Sequence, residues 1–362
     1  TFFVLMIRVT FNLCEFCVGE RYMIVSFVIV AYNEERSLPQ LLHDLENQDY
    51  PHNKIEVLLI DSMSKDSTKS IMERFSETHN DFFRVVVLEN PGKQIPCGCN
   101  VALKEYTGDA FVRVDAHASI PPEFVRKNVE VLESGEDISG GRVISIPEKQ
   151  TEFQKMLLLA ENSPICGGVA PFRRSEKREY VSTMAFGMYR KEIFEHVGFY
   201  NENLPRSEDN DMSYRVRKAG YKLCLDPSVY SSRYTRSTFV KLVKQKYLNG
   251  FWIGRTMGIN PHCFSVYHFV PFVFVLGILL TSILAVCGHP TLAVLMWSAY
   301  VLLILACTVT ELIKSDFSIA KLLLPFVFLL LHVSYGVGTL VGLIDMPFWV
   351  KKIQMNEKEN CI

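Results

Sequence analysis

The sequence has 362 residues and a formal net charge of −1, because 38 Lys and Arg face 39 Asp and Glu. The length accommodates one large domain and a smaller module, and the near-neutral balance gives no electrostatic basis for a nucleic acid partner. The charges are unevenly placed, since residues 256–310 and 322–344 contain no Asp, Glu, Lys or Arg. We therefore expect a charged domain followed by an apolar region.

The first residues are predicted to precede the folded domain. Residues 1–17 are apolar but are interrupted by Arg8 and Glu15, and the stretch is too short for a membrane helix. Met23 lies immediately before the first strand-like run. We expect Met23 to be the functional start, and residues 1–22 to be an extension that is either upstream sequence or a membrane-surface anchor.

Three apolar runs rich in β-branched residues are typical of strands buried on both faces of a parallel sheet. They occupy residues 24–30, 55–60 and 110–114 and lead into acidic clusters at 31–35, 61–68 and 114–118, while a fourth cluster lies at 207–211. Ligands bind at the carboxyl ends of strands in open α/β sheets, so we expect these groups to converge. Carboxylates repel one another unless a cation or a donor-rich ligand lies among them. The pattern predicts a metal-assisted nucleotide enzyme.

Helical periodicity between the runs completes an alternating α/β pattern. We predict helices over residues 38–48, 67–78, 98–106 and 121–132, and a further strand over 83–88. From Val143 to Val181 the pattern loosens, and we interpret this stretch as a long polar loop, either functional or merely solvated. A short strand over 184–189 and helices over 191–197 and 207–220 are expected next, followed by a basic amphipathic stretch over 239–255.

The order of these blocks resembles that of family 2 glycosyltransferases with the GT-A fold, over residues 24–255. Within the family the sequence is most similar to bacterial exopolysaccharide enzymes of the succinoglycan type, through the stretches at residues 90–96 and 113–118. The resemblance implies an α/β catalytic domain over residues 23–255, with a GT-A (Rossmann-like, mostly parallel) sheet. It also implies inverting transfer of a sugar from a nucleoside diphosphate sugar.

The residues after the first two strands are expected to contact the nucleotide. Asp61 matches the Asp with which the family reads uracil, so the resemblance implies a UDP-sugar, with guanine donors left open. Tyr32, Asn33 and Glu34 are expected near the base and ribose, and Ser62 beside Asp61. For Asn33 and Glu34 helix capping is the alternative, and Ser62 is equally explained as a turn residue.

The third block is expected to serve the diphosphate and a metal ion. Asp115 is the candidate for ribose or metal contact, and His117 for metal ligation, where the family commonly has Asp-x-Asp. Oxygen ligands suit Mg²⁺ or Mn²⁺, and the imidazole favours Mn²⁺. Lys93, in a Gly-containing loop, is the expected diphosphate contact in preference to Arg113, which precedes the strand end by two residues.

The fourth block is expected to supply the base. Inverting transfer needs a group that removes the proton of the acceptor hydroxyl, and Asp209 matches the family's base while Glu208 is expected to orient the acceptor. The alternative is an acidic helix N-terminus favoured by the helix dipole. Gln245 and Trp252 are weaker acceptor candidates, because their spacing differs from the Gln-x-x-Arg-Trp block of processive relatives, and an interfacial helix explains them equally well.

The apolar region, residues 256–345, is long enough for about three membrane helices, which we expect over 267–286, 291–310 and 322–344, ahead of a tail over 346–362. Basic residues flank the first span and lie between the second and third, which favours a cytoplasmic catalytic domain. Lys351 and Lys352 then fall on the far side. Either the tail is an exception to the positive-inside trend, or one apolar segment does not cross.

These observations predict a multi-pass plasma-membrane glycosyltransferase. It would transfer sugar to a lipid-linked saccharide acceptor at the cytoplasmic face, in cell-surface polysaccharide biosynthesis. Two alternatives remain: an enzyme with a polyprenyl monophosphate acceptor, and a catalytically inactive membrane scaffold that binds a nucleotide sugar.

Overall fold

The structure, a computed structural model, describes residues 22–166, 175–235, 238–314 and 318–360. Nearly all of the predicted extension and the middle of the 143–181 stretch, including Arg173 and Arg174, lie outside these ranges. The first half alternates strands and helices as predicted. Its strands are β1 (Val25–Ala31), β2 (Ile55–Asp61), β3 (Arg84–Glu89) and β4 (Ala110–Asp115). Its helices are α1 (Leu38–Glu46), α2 (Thr68–Thr78), α3 (Ile95–Glu105) and α4 (Phe124–Glu133).

Strands β1 to β4 are parallel, and their register brings the acidic clusters together. Ala31 pairs with Asp61 across β1 and β2, and Val30 pairs with Asp115 across β1 and β4. Three carboxyl ends therefore lie side by side at one edge of the sheet. Alternate residues of the buried strands pack into two separate clusters, such as Phe27 in one and Val28 in the other, so both faces are covered.

The second half of the domain adds shorter strands and turns the sheet into a mixed one. The strands are β5 (Ala118–Ser119), β6 (Ile138–Ile146), β7 (Glu179–Val181), β8 (Met188–Arg190) and β9 (Leu223–Tyr234), and the helices are α5 (Glu152–Asn162), α6 (Lys191–Val197) and α7 (Glu208–Lys218). The described strands follow the order β3-β2-β1-β4-β8-β6-β9-β5, with β7 also paired to β9. Strand β8 is antiparallel to both of its neighbours, β4 and β6, whereas β6 and β9 pair in parallel.

The prediction of one long polar loop from Val143 to Val181 was wrong for much of its length. Strand β6 continues to Ile146, α5 follows, and β7 closes the stretch. Thr151 caps α5 by accepting a hydrogen bond from the Gln154 amide, and the apolar face of α5 packs against the C-terminal helices. Burial of that face explains why the segment is helical.

Four helices follow the sheet: α8 (Phe239–Thr256), α9 (Val270–Val286), α10 (Thr291–Lys314) and α11 (Leu324–Asn360). A turn with Gly288 at positive φ joins α9 to α10, in the gap between the first two predicted membrane helices. Three segments in the described chain are apolar and long enough to cross a membrane, namely Val266–Val286, Thr291–Lys314 and Ile319–Asn356. The first two are little buried within the protein, whereas nearly half of the third is buried.

Candidate active site

The turns that follow β1 and β2 are joined into one unit by hydrogen bonds. The Asn33 amide donates to Ser64 Oγ over 3.0 Å, and the Lys65 amide donates to Asn33 Oδ1 over 2.8 Å. Asn33 adopts a positive φ of 54°, a conformation that Asn tolerates better than most residues. The Glu34 amide donates to Thr68 Oγ1 over 2.8 Å. These bonds explain the polar residues of both turns structurally and fix the backbone around the strand ends.

Asp61 is almost fully buried at the end of β2. Its two carboxylate oxygens each lie 3.2 Å from the Ser64 amide, which leaves lone pairs for a further donor. Beside it, Asn90 Nδ2 donates to Ser62 Oγ over 2.9 Å. Ser62 is thus held by the protein, while Asp61 keeps acceptor capacity.

Arg113 is the centre of the acidic cluster. Its Nη1 lies 3.2 Å from Glu208 Oε1, and its Nη2 lies 3.0 Å from Asp209 Oδ2 and 3.7 Å from Asp115 Oδ1. The guanidinium is buried and connects the end of β4 to the first turn of α7. Successive side chains of a strand alternate between its two faces, so Arg113 lies on the same face as Asp115. The preference for Lys93 over Arg113 as the diphosphate contact did not take this two-residue period into account.

Burial controls the charge of this cluster. It raises the pKa of Glu208, the negative charge of Asp209 adds to the effect, and Arg113 opposes it. Burial also raises the pKa of Asp209, where Arg113 opposes the shift and Asp115 reinforces it. The pKa of Arg113 lies well above its ordinary value, since the surrounding carboxylates outweigh the effect of burial. The carboxylate of Asp209 is therefore more basic than usual, and it lies next to the permanent positive charge of Arg113.

The two expected metal ligands lie at the end of β4. His117 Nδ1 lies 3.5 Å from Glu34 Oε1, and both side chains are partly exposed, as is Asp115. No group of three or more His, Cys, Asp or Glu side chains within the described residues is arranged to hold a metal ion. Magnesium and manganese sites in nucleotide enzymes commonly use one or two protein ligands plus phosphate oxygens. The pair Asp115 and His117 fits that kind of site.

Lys93 and Tyr32 lie at the surface near the strand ends. Lys93 adopts a positive φ of 59° in the loop after β3 and is exposed. Tyr32 is 48% exposed, which is unusual for an aromatic side chain and leaves its ring available for contact. The structure brings both to the edge of the sheet where the acidic residues lie.

Asp209 also lines a cavity of about 570 Å³ between the sheet domain and the C-terminal helices. One wall comes from Thr183, Met184 and Ala185, and the opposite wall from α8, α9 and α11. Two cations lie in the lining, Arg233 and Lys246. Lys246 Nζ donates to the Cys166 carbonyl over 2.7 Å. The cavity thus connects the expected base to the membrane-proximal helices.

Gln245 and Trp252 do not share one location. Gln245 lies on α8 with its side-chain oxygen buried and without a hydrogen-bond partner in the described chain. Trp252 lines a separate cavity of about 530 Å³ together with Arg255 and Trp349. Sequence reasoning treated Lys246 only as a charge flanking the membrane. Its position on the buried face of an amphipathic helix was the available signal for a further role.

Comparison with known proteins defines the fold and the class of protein. The chain is similar to a mannosyltransferase of Pyrobaculum calidifontis, solved in complex with GDP-Man and Mn²⁺, with a TM-score of 0.59 and 18% identity over 89% of this chain and 88% of that one. The domain has the GT-A fold, and the protein is a glycosyltransferase. Residues 26–198 match the model of glycosyl transferase family 2, which is the family that the sequence resemblance implied.

Two curated relatives illustrate the range of the similarity. Dolichyl N-acetyl-alpha-D-glucosaminyl phosphate 3-beta-D-2,3-diacetamido-2,3-dideoxy-beta-D-glucuronosyltransferase of Methanococcus voltae is 27% identical over 88% of this chain and 97% of its own length. The succinoglycan biosynthesis protein ExoA of Rhizobium meliloti (strain 1021) is 28% identical over 65% of this chain and 70% of its own length. The similarity to the first relative covers more of this chain than the sheet domain alone.

Proposed function

We propose that this protein transfers a sugar, with inversion, from a UDP-sugar to a lipid-linked saccharide at the cytoplasmic face of the membrane. The observation that carries the proposal is the cavity that has Asp209 on one wall and the membrane-proximal helices on the other. A lipid-linked acceptor brings its reactive hydroxyl from the membrane side, and this cavity offers a path from that side to a carboxylate.

The donor would bind at the edge formed by β1, β2 and β4. Asp61 accepts from the base, which its spare lone pairs and burial support. Tyr32, Asn33 and Glu34 surround the base and ribose, with Ser62 beside Asp61, and Lys93 approaches the diphosphate. Because the joined turns are held by protein hydrogen bonds before the donor arrives, little backbone ordering is needed on binding.

Asp209 acts as the general base. Its carboxylate takes the proton of the acceptor hydroxyl as the hydroxyl oxygen attacks the anomeric carbon from the side opposite the diphosphate. The raised pKa of Asp209 improves its match to a neutral operating pH. Glu208 orients the acceptor, and Arg113 keeps the two carboxylates in place.

Asp115 and His117 would hold a divalent ion, Mn²⁺ or Mg²⁺. When bound, such an ion neutralises charge on the leaving diphosphate. The oxygen of Asp115 and the nitrogen of His117 together favour Mn²⁺. Arg113 lies 3.7 Å from Asp115 and so limits the negative charge of the site in the absence of donor.

The acceptor would carry phosphate near Lys246 and Arg233. Both cations line the cavity that holds Asp209, and a phosphate-bearing lipid is the membrane component that such charges attract. The name of the Methanococcus voltae relative describes a dolichyl phosphate saccharide as its acceptor. A dolichol-phosphate mannosyltransferase of Pyrococcus furiosus is also similar, over 48% of each chain, and this similarity favours a polyprenyl monophosphate as the second candidate acceptor.

The test is nucleotide release from UDP- and GDP-sugars by detergent-purified protein with Mn²⁺ or Mg²⁺. Polyprenyl diphosphate saccharide and polyprenyl monophosphate would be offered as separate acceptors. We expect metal-dependent release of UDP with the saccharide acceptor, which Asp209→Asn lowers about 10²- to 10⁴-fold. Asp81→Asn is the matched control, because Asp81 is 57% exposed and pairs with His52, which precedes β2 at the end of the sheet opposite the acidic clusters.

The other outcomes are equally informative. Turnover with the monophosphate alone would replace the proposed acceptor by the second candidate. Release of GDP in place of UDP would correct the donor. Donor binding without turnover for any acceptor would favour the inactive scaffold.

A further inference from the structure

Helices α8 and α11 pack against each other in parallel and at close range. Ser334 Oγ donates to the Val243 carbonyl over 2.9 Å near the start of the contact, and Arg255 Nε donates to Asp345 Oδ2 over 2.6 Å near its end. Between these points a Cβ added to Gly338 would lie 2.1 Å from the Tyr247 carbonyl oxygen. The backbones therefore touch along about 18 Å, the rise of twelve helical residues.

Helix α8 is fixed to the sheet domain along its length. Lys246 binds the Cys166 carbonyl, and Thr256 Oγ1 donates to Ser207 Oγ over 3.0 Å. Its outer side carries Lys241 and Lys244, both exposed. A helix held against a water-soluble domain, with exposed lysines along it, lies at the membrane surface and not across the bilayer. Helix α11 runs beside α8 over residues 334–350 and must lie at the same depth.

The first part of α11 is also held by the sheet domain. Leu324, Phe328 and Leu331 pack in one cluster with Met156 and Leu157 of α5. Just before α11, Ser318 bonds to Glu152 of α5, and Lys321 lies close to the same carboxylate. Both ends of the uncharged run over residues 322–344 thus meet the catalytic domain, which leaves no room for a bilayer between them.

The outer face of α11 is an exposed apolar stripe. The exposed large residues recur at helical spacing on the side away from α8 and α5, at Phe326, Leu330, Val341, Ile344 and Phe348. Lys351 and Lys352 follow in the same helix and are exposed. An apolar face bordered by cations is the pattern of a helix that lies in the plane of the membrane interface.

We propose that α11 does not cross the membrane but lies in its interfacial plane, with the stripe in the lipid and both helix ends on the catalytic side. Only the hairpin of α9 and α10 then spans the bilayer. The occupant of the stripe is the lipid surface itself, because the apolar hairpin, which is little buried, packs directly against α11 where Gly336 meets Pro271. This arrangement places Lys351 and Lys352 on the cytoplasmic side and removes their conflict with the positive-inside trend. It does not depend on which sugar is transferred.

Protease protection of the full chain in sealed, oriented vesicles tests the topology. One variant carries an epitope tag after Ile362, and another carries the tag within the turn at residues 288–290. We expect the terminal tag to be cleaved from the same side as the catalytic domain, and the turn tag from the opposite side. A terminal tag that shares the side of the turn would overturn the proposal, as would a turn tag on the catalytic side.

A pair of leucine variants gives a second readout that does not require a tag. Leu330 of α11 and Leu280 of α9 are both exposed and lie inside their apolar runs. We expect Leu330→Lys to leave the yield of membrane-bound protein within about twofold of wild type, because an interfacial lysine reaches water. Leu280→Lys should lower that yield about tenfold or more, since the lysine would lie inside the bilayer. Equal losses for both variants would show that α11 spans the membrane.

Discussion

Arg113 and Asp209 lie 96 residues apart in the chain, yet Nη2 of Arg113 donates to Oδ2 of Asp209 over 3.0 Å. The contact joins the end of β4, which carries the proposed metal ligands, to the first turn of α7, which carries the proposed base. The same guanidinium also binds Glu208. The distance between the donor side and the acceptor side of the site is therefore set by one buried side chain.

Replacement of Arg113 should impair both activity and stability. Arg113→Lys keeps the charge but cannot reach three carboxylates with a planar fork, so we expect at least a tenfold loss of turnover, about 1.4 kcal/mol in the barrier. Arg113→Met removes the cation that lowers the pKa of Asp209, and the acidic limb of the pH–rate profile should move to higher pH. It also leaves buried carboxylates unpaired, at a cost of about 3–5 kcal/mol in the free energy of unfolding.

The pH–rate profile separates a role at the base from a general packing role. Arg190→Met serves as the control, because Arg190, on β8 of the same sheet, binds the backbone carbonyls of Leu132 and Glu136 away from the site. A profile of Arg113→Met that coincides with that of wild type after scaling would contradict the proposed link to Asp209.

His117 should determine metal affinity and preference. We expect His117→Ala to raise the Mn²⁺ concentration for half-maximal activity at least about tenfold, and chelation by EDTA to abolish turnover of wild type. His117→Asp restores the family's Asp-x-Asp pattern and should shift the preference toward Mg²⁺, since a carboxylate suits the harder ion. The measurement is a metal titration of nucleotide release, with His43→Ala on exposed α1 as the control. An unchanged titration for His117→Ala would exclude ligation by this residue.

Glu56 should matter for stability and not for chemistry. It is fully buried near the amino end of β2, where its carboxylate accepts from Ser26, Arg84, and both the amide and hydroxyl of Thr107. Glu56→Gln places an amide among these donors, and we expect a loss of about 1–3 kcal/mol in the free energy of unfolding. Thermal unfolding in detergent measures it, with the exposed Glu73→Gln as the control.

The same carboxylate predicts an acid sensitivity. Burial alone would raise the pKa of Glu56, but the hydrogen bonds outweigh burial and lower the pKa below 4.5. The unfolded chain then binds more protons than the folded one as the pH falls below about 4.5, so the free energy of unfolding decreases through the folded pKa. Glu56→Gln should lack this part of the pH dependence. If the free energy of unfolding of Glu56→Gln decreases with falling pH as steeply as that of wild type, the acid sensitivity arises from other carboxylates.

The contact between α8 and α11 should have no room for even one added methyl group. Gly338→Ala would place Cβ 2.1 Å from the Tyr247 carbonyl oxygen, and we expect a loss of about 1–3 kcal/mol from the resulting separation of the helices. Gly277→Ala is the matched control, because its Cβ would meet only the flexible Met296 side chain, at 3.2 Å. That variant should be neutral or gain up to about 1 kcal/mol from helix propensity. Equal melting temperatures for both variants would contradict the close packing.

The strands of the first half could be predicted because each is a continuous apolar run whose end is marked by polar residues. Strand β9 was missed because it contains Asp226 and Pro227 and several serines, so it lacks both an apolar run and a clean alternation. Its pairing with β6 stabilises it in spite of its composition. Helix α5 offered a usable signal, since Phe153, Met156, Leu157 and Ala160 recur at helical spacing after the capping Thr151.

The site was predictable where one strand end determines a residue's place, as for Asp61 and Asp115. It was not predictable where distant segments meet. The cavity behind Asp209 forms only when α8, α9 and α11 pack against the domain. No local sequence pattern indicates that contact. The length of an apolar run likewise indicates that α11 can cross a bilayer, but the side of the helix that the domain covers is a tertiary property.

The contact of Arg255 with Asp345 spans 90 residues of chain, and the whole α9–α10 hairpin lies between its two ends. During synthesis α8 is complete well before α11 exists, since the chain emerges from its N-terminus. The glycine-lined face of α8 therefore has no partner helix until α11, which follows the hairpin in the chain, has been synthesised. In the proposed topology, insertion of the hairpin is a step in the folding of the enzyme. A chain shortened before Leu324 would keep the four parallel strands and their carboxylates, yet the cavity that holds Asp209 would lose the wall that α11 provides.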